Sequence, residues 1–574
     1  MYNYLGYDKF PTFKIEDNTG FAIQGNKKIN KYVNNLLIKN KRFIVIVDFY
    51  PGAYESQVIA VLFDKKDFDL IINMNDLTKN INDINKMIES NLTDDRVFGV
   101  MCHKNLIDWF DSNKLIKAKE KIENSNGLIL IYGVGARLLC KPDLFIYNDM
   151  PRWEIQMRYR NKMPNWLCDN YDEDNLRKYK RGFFVEWRVA DKHKNKYFDE
   201  IDYFIDSTHD DYKLIKGDTL RKGIKQIAYQ PFRVMPYFDP GVWGGQWMKD
   251  ICDLDKSKKN YAWCFDCVPE ENSLLLSYDN VVVEIPCMDL VLTHPIELLG
   301  DKVHARFGTE FPIRFDFLDT MDGQNLSCQV HPLTEYIQNT FGMHYTQDES
   351  YYILDNKEGS CVYLGVKDGI KKEDLIPALE KAQETSSFDD SKYINCFPAK
   401  KHDHFLIPAG TIHCSGKNTM VLEISATPYI FTFKLWDWNR LGLDGKPRPV
   451  HINHGKENIQ FNRDTDWVKK NLINKVELIH EEKGHKEERT GLHEREFIET
   501  RRHWFSKPIV IATNNTVQVL NLVEGTSAII SSLDNSFKPY KVTYAETFII
   551  PATIDRFKVT PESNNSALIR AYVR

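Results

Sequence analysis

The hydrophobic pattern changes near residue 229, and the change separates two kinds of fold along the chain. Before it, an apolar, β-branched run at 42–48 opens a series of alternating strand-like and helical segments, which is typical of an α/β domain with a largely parallel sheet. After it, short alternating runs are punctuated by turn signals at Asp322-Gly323 and Asp368-Gly369, as in a β-sandwich or jelly roll. We therefore predict a multi-domain protein with a doubly wound α/β part and all-β parts.

Chain length and an internal repeat set the expected domain boundaries. A length of 574 residues suits three or four domains. Residues 547–552 repeat the pattern of residues 404–409, which indicates that the last domain is a smaller jelly roll. It lacks the metal-binding pattern described below, so we expect it to bind no metal. The predicted parts are an α/β domain at 1–225 ending in a linker at 213–227, a β domain with a helical insertion at 226–460, a charged connector at 461–500 and the small β domain at 501–574.

Composition excludes several classes of partner. The chain has 76 Lys+Arg against 81 Asp+Glu and a net charge of −5, so no basic surplus points to nucleic acid or to a membrane surface. No apolar run approaches the ~20 residues that span a bilayer, and no signal-peptide pattern opens the sequence, which favours a cytoplasmic protein. The eleven cysteines favour reduced thiols over a disulfide framework. Cys264 and Cys267 lack a second Cys-x-x-Cys pair to complete a zinc site, so buried thiols are expected there.

Residues 42–56 have the order of a phosphate-binding unit: a buried strand, a Pro-Gly turn and a helix from about Glu55. With an arginine-bearing helix at 149–160, this region resembles the P-loop nucleoside and uridine kinases. A working phosphate loop needs G-x-x-x-x-G-K-[ST], but Tyr54 stands at the second glycine and Glu55 at the lysine. Since a carboxylate repels phosphate, we expect a degenerate, structural or ligand-sensing domain and disfavour ATP-driven phosphoryl transfer.

Four polar side chains of the central region form a candidate metal site. Gln329 and His331 are two positions apart in a predicted strand and therefore point to the same face. Glu349 begins a second strand, and His413 follows a Pro-Ala-Gly turn that ends a third. Each residue alone is more often an ordinary polar strand or loop residue. Together, two imidazoles, a carboxylate and an amide suit a divalent metal of zinc type with one position left open.

The residues around these four carry a family resemblance. The matching words, in this order, are Trp-Gly-Gly at 243–245, Phe-Pro at 311–312, Phe-Leu-Asp at 317–319, Leu-Ser-Cys-Gln-Val-His-Pro at 326–332, Glu-Ser-Tyr-Tyr at 349–352, Ile-Pro-Ala-Gly-Thr-Ile-His at 407–413, Leu-Glu at 422–423 and Gly-Lys-Pro-Arg-Pro-Val-His at 445–451. Residues 230–455 thereby resemble type I mannose-6-phosphate isomerase, a zinc-dependent cupin enzyme. The resemblance implies a cupin fold for the central domain and one zinc ion per chain on Gln329, His331, Glu349 and His413.

The resemblance also suggests catalytic and substrate-binding residues. Aldose–ketose isomerisation moves a proton between C1 and C2, and Glu423 is the favoured proton-transfer group, with a buried structural carboxylate as the open alternative. Lys434 stands where the family has an arginine, and Arg440 shares its strand parity, so both are catalytic candidates if no bulge intervenes. The candidate sugar or phosphate contacts, each equally open to being ordinary surface or strand residues, are Ser327, Lys446 and Arg448.

Two departures from the family concern the sugar phosphate. Asp316, or Arg314 in a shifted register, stands at one family lysine and Gln347 at another, which weakens the case for a phosphorylated sugar more than the case for metal and fold. We predict a zinc-dependent isomerase that interconverts mannose 6-phosphate and fructose 6-phosphate through a cis-enediol. The small-molecule sugar phosphate is the expected partner. The alternatives are a non-catalytic sugar sensor or an isomerase acting on a different sugar, while a bifunctional kinase–isomerase is disfavoured by Glu55.

Overall fold

The computed structural model describes residues 6–15, 21–38, 41–427, 429–491 and 493–574. The chain forms two compact units, one of Thr12–Gln226 with Ser273–Thr293 and one of Met1–Pro11, Ile227–Asn272 and His294–Arg574. The first is called the α/β unit and the second the β-rich unit. Residues 273–293, which we had assigned to the central β domain, belong to the α/β unit because the strand Ser273–Tyr278 pairs in parallel with the strand Thr12–Lys14.

Among the residues that the structure describes, the first part of the α/β unit contains eight strands and eight α-helices. The strands are β1 Thr12–Lys14, β2 Ala22–Gln24, β3 Phe43–Phe49, β4 Leu70–Asn73, β5 Leu128–Gly133, β6 Leu144–Asp149, β7 Tyr203–Asp206 and β8 Lys213–Lys216. The helices are α1 Asn26–Leu36, α2 Glu55–Phe63, α3 Ile81–Leu92, α4 Ser112–Asn124, α5 Arg152–Arg160, α6 Asn175–Arg181, α7 Trp187–Tyr197 and α8 Gly217–Ile227.

Seven of these strands form one sheet in the order β2-β8-β7-β6-β3-β5-β4. The five strands β4, β5, β3, β6 and β7 are parallel to one another. Strands β8 and β2 are added antiparallel at one edge of the sheet. Every residue of β3 is buried, as expected for a parallel strand covered on both faces. After β3 the chain forms β4 and β5 on one side of β3 and then β6 and β7 on the other side. The strand order therefore reverses at β3, and α/β proteins commonly bind ligands at such a point. The predicted α/β alternation is therefore observed.

The predicted linker at 213–227 is wrong. Residues 213–216 form the buried strand β8, which pairs with β7, and the residues after it form α8. Strand β8 is hard to predict because a four-residue strand carries little periodicity of its own, whereas pairing with an existing sheet edge stabilises it.

The next elements return to each unit in turn. Strands β9 Tyr237–Asp239 and β10 Trp263–Cys267 with helix α9 Trp247–Ile251 belong to the β-rich unit. Strands β11 Ser273–Tyr278 and β12 Val281–Pro286 with helix α10 Met288–Thr293 belong to the α/β unit, where β1, β11 and β12 form a three-stranded sheet.

The rest of the β-rich unit is built mainly of short strands. The strands are β13 Arg314–Asp319, β14 Cys328–Val330, β15 Asp348–Asn356, β16 Cys361–Val366, β17 Ile394–Pro398, β18 His404–Ile407, β19 His413–Ser415, β20 Thr419–Ala426, β21 Phe433–Trp436, β22 Glu477–Glu482, β23 His485–Gly491, β24 Ile498–Phe505, β25 Ile509–Ala512, β26 Gln518–Glu524, β27 Ser527–Ser532, β28 Tyr540–Thr543, β29 Thr547–Ile550, β30 Arg556–Pro561 and β31 Ser566–Val573. The helices are α11 Pro295–Leu299, α12 Asp301–Phe307, α13 Thr334–Phe341, α14 Lys372–Thr385, α15 Asp390–Tyr393, α16 Ile452–Gly455 and α17 Thr465–Asn471.

The first half of this unit contains two sheets. One has the order β18-β15-β20-β13-β10-β9 and the other β17-β16-β19-β14-β21. Interior side chains of the two sheets meet, because His413 on β19 contacts Glu349 on β15. The predicted helical insertion is α14, which lies between β16 and β17 in the chain. Cys264 and Cys267 lie on β10, where both are buried and neither forms a disulfide.

The second half contains a six-stranded sheet, β22-β23-β24-β31-β26-β29, and a four-stranded sheet, β25-β30-β27-β28. Apolar residues of both sheets form one core, including Leu520 and Phe548 from the first and Ile530 and Val559 from the second. The repeated motif at 547–552 supplies β29. We refer to this half as the C-terminal sandwich.

Residues 461–500, expected to be a charged connector of helix and loop, instead contain α17, the strands β22 and β23 and the start of β24. The hairpin β22–β23 extends the six-stranded sheet, and every residue of β22 is exposed. A strand at a sheet edge with solvent on both faces tolerates charges throughout, which is why its sequence resembles a connector. Among the described helices, none has the length and apolar character needed to cross a bilayer.

Candidate functional site

Three strands, β14, β15 and β19, position the predicted metal ligands. Gln329 lies on β14 and is the direct partner of His413, the first residue of β19. His331 follows the last residue of β14, two positions after Gln329, so it points to the same face. Glu349 lies on β15 in the other sheet, opposite Ile407 and Ser425. Strand pairing thus collects residues that are far apart in the sequence.

The polar atoms of these side chains approach one another closely. Nε2 of His331 lies 3.0 Å from Oε2 of Glu349, and Nε2 of His413 lies 2.8 Å from Oε1 of the same carboxylate. The side-chain nitrogen of Gln329 lies 3.2 Å from Nε2 of His413. All four residues are buried. The amide nitrogen and oxygen of Gln329 exchange places by rotation about its last side-chain bond, and the oxygen would be the ligand atom.

Backbone carbonyls orient both imidazoles. Nδ1 of His331 donates to the carbonyl of Phe431, and Nδ1 of His413 donates to that of Thr411, each over 2.9 Å. With the proton on Nδ1, each Nε2 lone pair faces Glu349. Two lone pairs opposite an anionic carboxylate require a shared positive charge, supplied by added protons or by a metal cation. The three ligand atoms lie within 4.8 Å of one another, so these residues fit an ion of zinc type.

The Glu349 carboxylate is anionic and held in place. Burial raises its pKa, but the imidazoles of His331 and His413 outweigh burial, and the pKa lies well below its usual range. Gln347 donates from Nε2 to Oε2 of Glu349 over 3.0 Å. Gln347 therefore orients the Glu349 carboxylate.

Glu423 lies on the same interior face as Glu349. On β20 it pairs with Tyr351 of β15 and with Asp316 of β13. Burial, together with the carboxylates of Glu349 and Asp316, raises the pKa of Glu423 well above its usual range. These surroundings favour the protonated form of Glu423, which could exchange a proton with a bound molecule.

Ser327, Arg440 and Arg448 converge on Asp437, a buried residue that we did not single out from the sequence. The Ser327 hydroxyl donates to Oδ1 of Asp437 over 2.7 Å and Nη2 of Arg440 donates to the same oxygen over 2.6 Å, while Nη1 of Arg448 lies 2.9 Å from Oδ2. The available signal was the Asp-x-x-Arg spacing of 437–440. Asp437 thus joins Ser327, which precedes β14, to two arginines of the segment that follows β21.

The parity argument that placed Lys434 and Arg440 together fails for Arg440. Strand β21 ends at Trp436, and Trp438 and Asn439 adopt positive φ values of 56° and 52°, so the alternation is broken before Arg440. Lys434 remains on β21 as the direct partner of Gln329, which places both on one face. The Lys446 side chain is exposed in the following loop.

The turn between β3 and α2 in the α/β unit is packed by protein groups. Gly52 has a φ of 100°, and a Cβ there would lie 2.8 Å from Ile155. Nη1 of Arg158 on α5 donates to the Gly52 carbonyl over 3.0 Å, and its guanidinium lies over the Tyr54 ring. Glu55, whose pKa burial raises to about 7, accepts a hydrogen bond from Asn75. The arginine-bearing helix thus binds the turn itself.

Comparisons with known proteins give two kinds of match. A family model described as a domain of unknown function, DUF8485, matches residues 25–229. The chain is 25% identical over 235 residues to mannose-6-phosphate isomerase ManA of Bacillus subtilis (strain 168), covering 41% of this chain and 69% of that protein. It is 26% identical over 225 residues to mannose-6-phosphate isomerase of Streptococcus mutans, covering 39% of this chain and 66% of that protein.

A solved structure gives a matching fold. The crystal structure of mannose 6-phosphate isomerase from Bacillus subtilis superposes with a TM-score of 0.50 at 20% identity, over 60% of this chain and 99% of that one. Part of this chain is therefore similar in sequence and fold to mannose-6-phosphate isomerases.

Proposed function

We propose that the β-rich unit is a metal-dependent aldose–ketose isomerase that interconverts mannose 6-phosphate and fructose 6-phosphate. The observation that carries the proposal is the buried set of His331, Glu349 and His413, with Gln329 beside it. Sequence similarity to isomerases over about 40% of the chain supports the reaction class. The fold that holds this set is proposed to be a cupin.

Gln329, His331, Glu349 and His413 would hold one zinc ion. When bound there, zinc supplies Lewis-acid polarisation of a carbonyl oxygen. Glu349 contributes the negative charge that favours a cation, and the two carbonyl-bound imidazoles contribute Nε2 atoms that are already oriented. This part of the proposal depends on the residues alone and holds whichever sugar is bound.

Glu423 is the proposed proton-transfer residue. A cis-enediol route moves one proton between C1 and C2 and needs a group that gives and takes protons near neutral pH. Glu423 lies on the interior face with Glu349 and has a raised pKa, which makes its carboxylate form a stronger base. As the carboxylate it would accept the proton from C2 of the aldose, and as the resulting carboxylic acid it would return that proton to C1. Asp316 beside it supplies a second carboxyl that can share that proton.

Cationic residues at the rim are the proposed substrate contacts. Lys434 shares the face of Gln329 and is the candidate for a sugar oxygen or phosphate. Arg440 and Arg448 are held by Asp437 with Ser327, which makes this cluster a preorganised anion-binding edge. Lys446, exposed in the same loop, would reach a phosphate from outside.

Coupled spectrophotometric detection of fructose 6-phosphate tests the proposal. Zinc-loaded protein should convert mannose 6-phosphate, chelation should abolish conversion, and added zinc should restore it. Conversion that survives exhaustive chelation would refute the metal-dependent mechanism. The matched control is His344→Ala, which changes an exposed histidine outside the site.

A sugar-binding protein without turnover, or an isomerase of another sugar, is the second candidate. The buried carboxyl groups of Asp316 and Glu423 favour it, because they supply no positive charge that would hold a phosphate. Gln347 does not supply one either, since its amide is neutral and is engaged by Glu349. Calorimetry with mannose and mannose 6-phosphate separates the cases: heat of binding without product would support the sensor.

For the α/β unit we propose a degenerate P-loop-like domain that does not transfer phosphate. The Arg158 contacts to Gly52 and Tyr54 and the Glu55 carboxylate at the start of α2 support this. ATP with magnesium should leave its thermal unfolding unchanged, whereas a rise in Tm would contradict the proposal. The free cysteines among the described residues suit a reducing compartment, and we propose a cytoplasmic location on that ground.

A further inference from the structure

A second cluster of potential metal ligands lies on the edge hairpin of the C-terminal sandwich. Strands β22 and β23 are joined by Lys483 and Gly484, with Gly484 at a φ of 84°. His480 and Glu482 are two positions apart on β22, and His485 of β23 pairs directly with Glu482. All three side chains therefore project from one face of the hairpin. We call this set the hairpin cluster.

The distances in the hairpin cluster suit a chelate. Nε2 of His480 and Nδ1 of His485 each lie 3.9 Å from Oε1 of Glu482, and the three atoms lie within 4.8 Å of one another. Ligand atoms in a tetrahedral shell with bonds of about 2.0 Å are about 3.3 Å apart. His480 and Glu482 are half exposed, so small side-chain rotations can close the difference.

A buried histidine supports His485 from the opposite side of its ring. Nδ1 of His503 on β24 lies 3.2 Å from Nε2 of His485, and the two rings are stacked with centroids 5.6 Å apart. Nε2 of His503 has no hydrogen-bond partner among the described residues and is buried. When His485 binds a metal through Nδ1, its Nε2 proton is donated to His503, as is usual for metal-ligating histidines.

One cation competes with a metal ion. Nζ of Lys507 lies 3.1 Å from Oε1 of Glu482 and partly neutralises that carboxylate. The nearby Glu487, which pairs with His480 across the hairpin, is bound by Arg501 over 2.7 Å and is not counted as a ligand. Both contacts are exposed or half-buried, and surface ion pairs of this kind contribute about 0–1 kcal/mol.

We propose that His480, Glu482 and His485 form a second metal site, for a divalent transition-metal ion such as Zn²⁺, Co²⁺ or Ni²⁺. Two imidazoles select this class over Ca²⁺ and Mg²⁺, which prefer oxygen ligands. The ion links β22 to β23 and thereby stabilises the outermost strand of the six-stranded sheet. The ligands precede residue 501, so the site is compatible with the expectation that residues 501–574 bind no metal.

Titration of the full-length, chelator-stripped protein with Co²⁺, followed by calorimetry and visible absorption, tests the site. Wild type should bind two equivalents, and the His480→Ala/His485→Ala double variant one. His413→Ala should lose the Co²⁺ ion bound at His331, Glu349 and His413 and keep the ion bound at the hairpin cluster. The two sites are thereby tested independently. Circular dichroism and Tm of each variant establish that it is folded.

Matched substitutions sharpen the titration. Glu482→Gln should weaken Co²⁺ binding at the hairpin cluster at least tenfold. Glu481→Gln makes the same charge change on the neighbouring residue, whose side chain points to the opposite face, so it should leave that affinity unchanged. Lys507→Met removes the competing cation and should tighten binding about two- to fivefold. Equal stoichiometry in wild type and the double variant, or equal affinity in the Glu481 and Glu482 variants, would overturn the proposal.

Discussion

Asp316 of β13 and Glu423 of β20 are directly paired residues, and both carboxyl groups are buried. Burial raises the pKa of Asp316 to about 7, and the pKa of Glu423 is raised well above its usual range by burial and by the charges of Glu349 and Asp316. Both shifts favour the protonated forms, and two neighbouring carboxyl groups of this kind can share a proton. The pair can therefore hold a proton on the same face as the Glu349 carboxylate.

Asp316→Asn should alter the pH dependence of stability. Because the folded-state pKa of Asp316 exceeds its unfolded value, its contribution to stability is complete below about pH 4 and is lost as the pH rises through about 7. The variant removes this loss, so its free energy of unfolding at pH 8 should exceed that of wild type by on the order of 1–3 kcal/mol. Urea denaturation at pH 5 and pH 8 measures the difference. An equal shift at both values would contradict the assignment.

His331→Ala should release the central metal ion. The variant leaves Glu349 with one imidazole partner and removes a nitrogen ligand from a buried site. Metal analysis should show one equivalent less than wild type, and isomerase activity should fall at least about 100-fold. His344→Ala, at an exposed position, should keep full metal content. If His331→Ala retains the metal, the ligand assignment is wrong.

Gln347→Leu should weaken metal binding without removing a ligand. Leucine keeps most of the volume but cannot donate to Oε2 of Glu349, so the carboxylate loses its orienting hydrogen bond. Loss of such a contact typically lowers metal affinity 10- to 100-fold, which competition with a chromophoric chelator measures. Gln347→Glu, which adds a charge that repels Glu349 in the absence of metal, should lower the Tm of the metal-free protein more than leucine does.

Asp437→Asn should both destabilise the fold and impair substrate binding. Arg440 and Arg448 lose the charge that holds them, and breaking such a buried network costs about 3–5 kcal/mol. Urea denaturation should show this loss, and KM for the sugar phosphate should rise. Asp444→Asn, at an exposed position in the next loop, should change neither quantity. An unchanged KM in a folded Asp437 variant would remove the cluster from the substrate site.

The sequence could predict those parts of the fold in which local pattern and tertiary pairing agree. The buried run of β3 has no competing interpretation, since a short apolar segment before a Pro-Gly turn suits a parallel strand. Strand β8 and the hairpin β22–β23 were missed because they are stabilised by an existing sheet edge rather than by their own periodicity. Pairing partners of this kind are not visible in a single sequence.

The candidate site was predictable to a similar extent. The i and i+2 spacing of Gln329 and His331 predicted that both side chains point to one face. Spacing alone could not predict that the carbonyls of Phe431 and Thr411 fix the orientation of the two imidazoles. The role of Asp437 was missed because its contact with Ser327, 110 residues away in the sequence, is not visible from local spacing. Arg440 was misplaced because the positive φ values at Trp438 and Asn439 interrupt the strand alternation.

The central claim is that Glu423 transfers a proton beside a metal held by Gln329, His331, Glu349 and His413. Incubating zinc-loaded protein with mannose 6-phosphate in D₂O, followed by NMR, tests it most directly. We predict that fructose 6-phosphate forms with solvent deuterium at C1, and that Glu423→Gln slows its formation by about 10²- to 10⁴-fold. Mannose 6-phosphate that remains unchanged at high protein concentration, with zinc bound, would contradict the account.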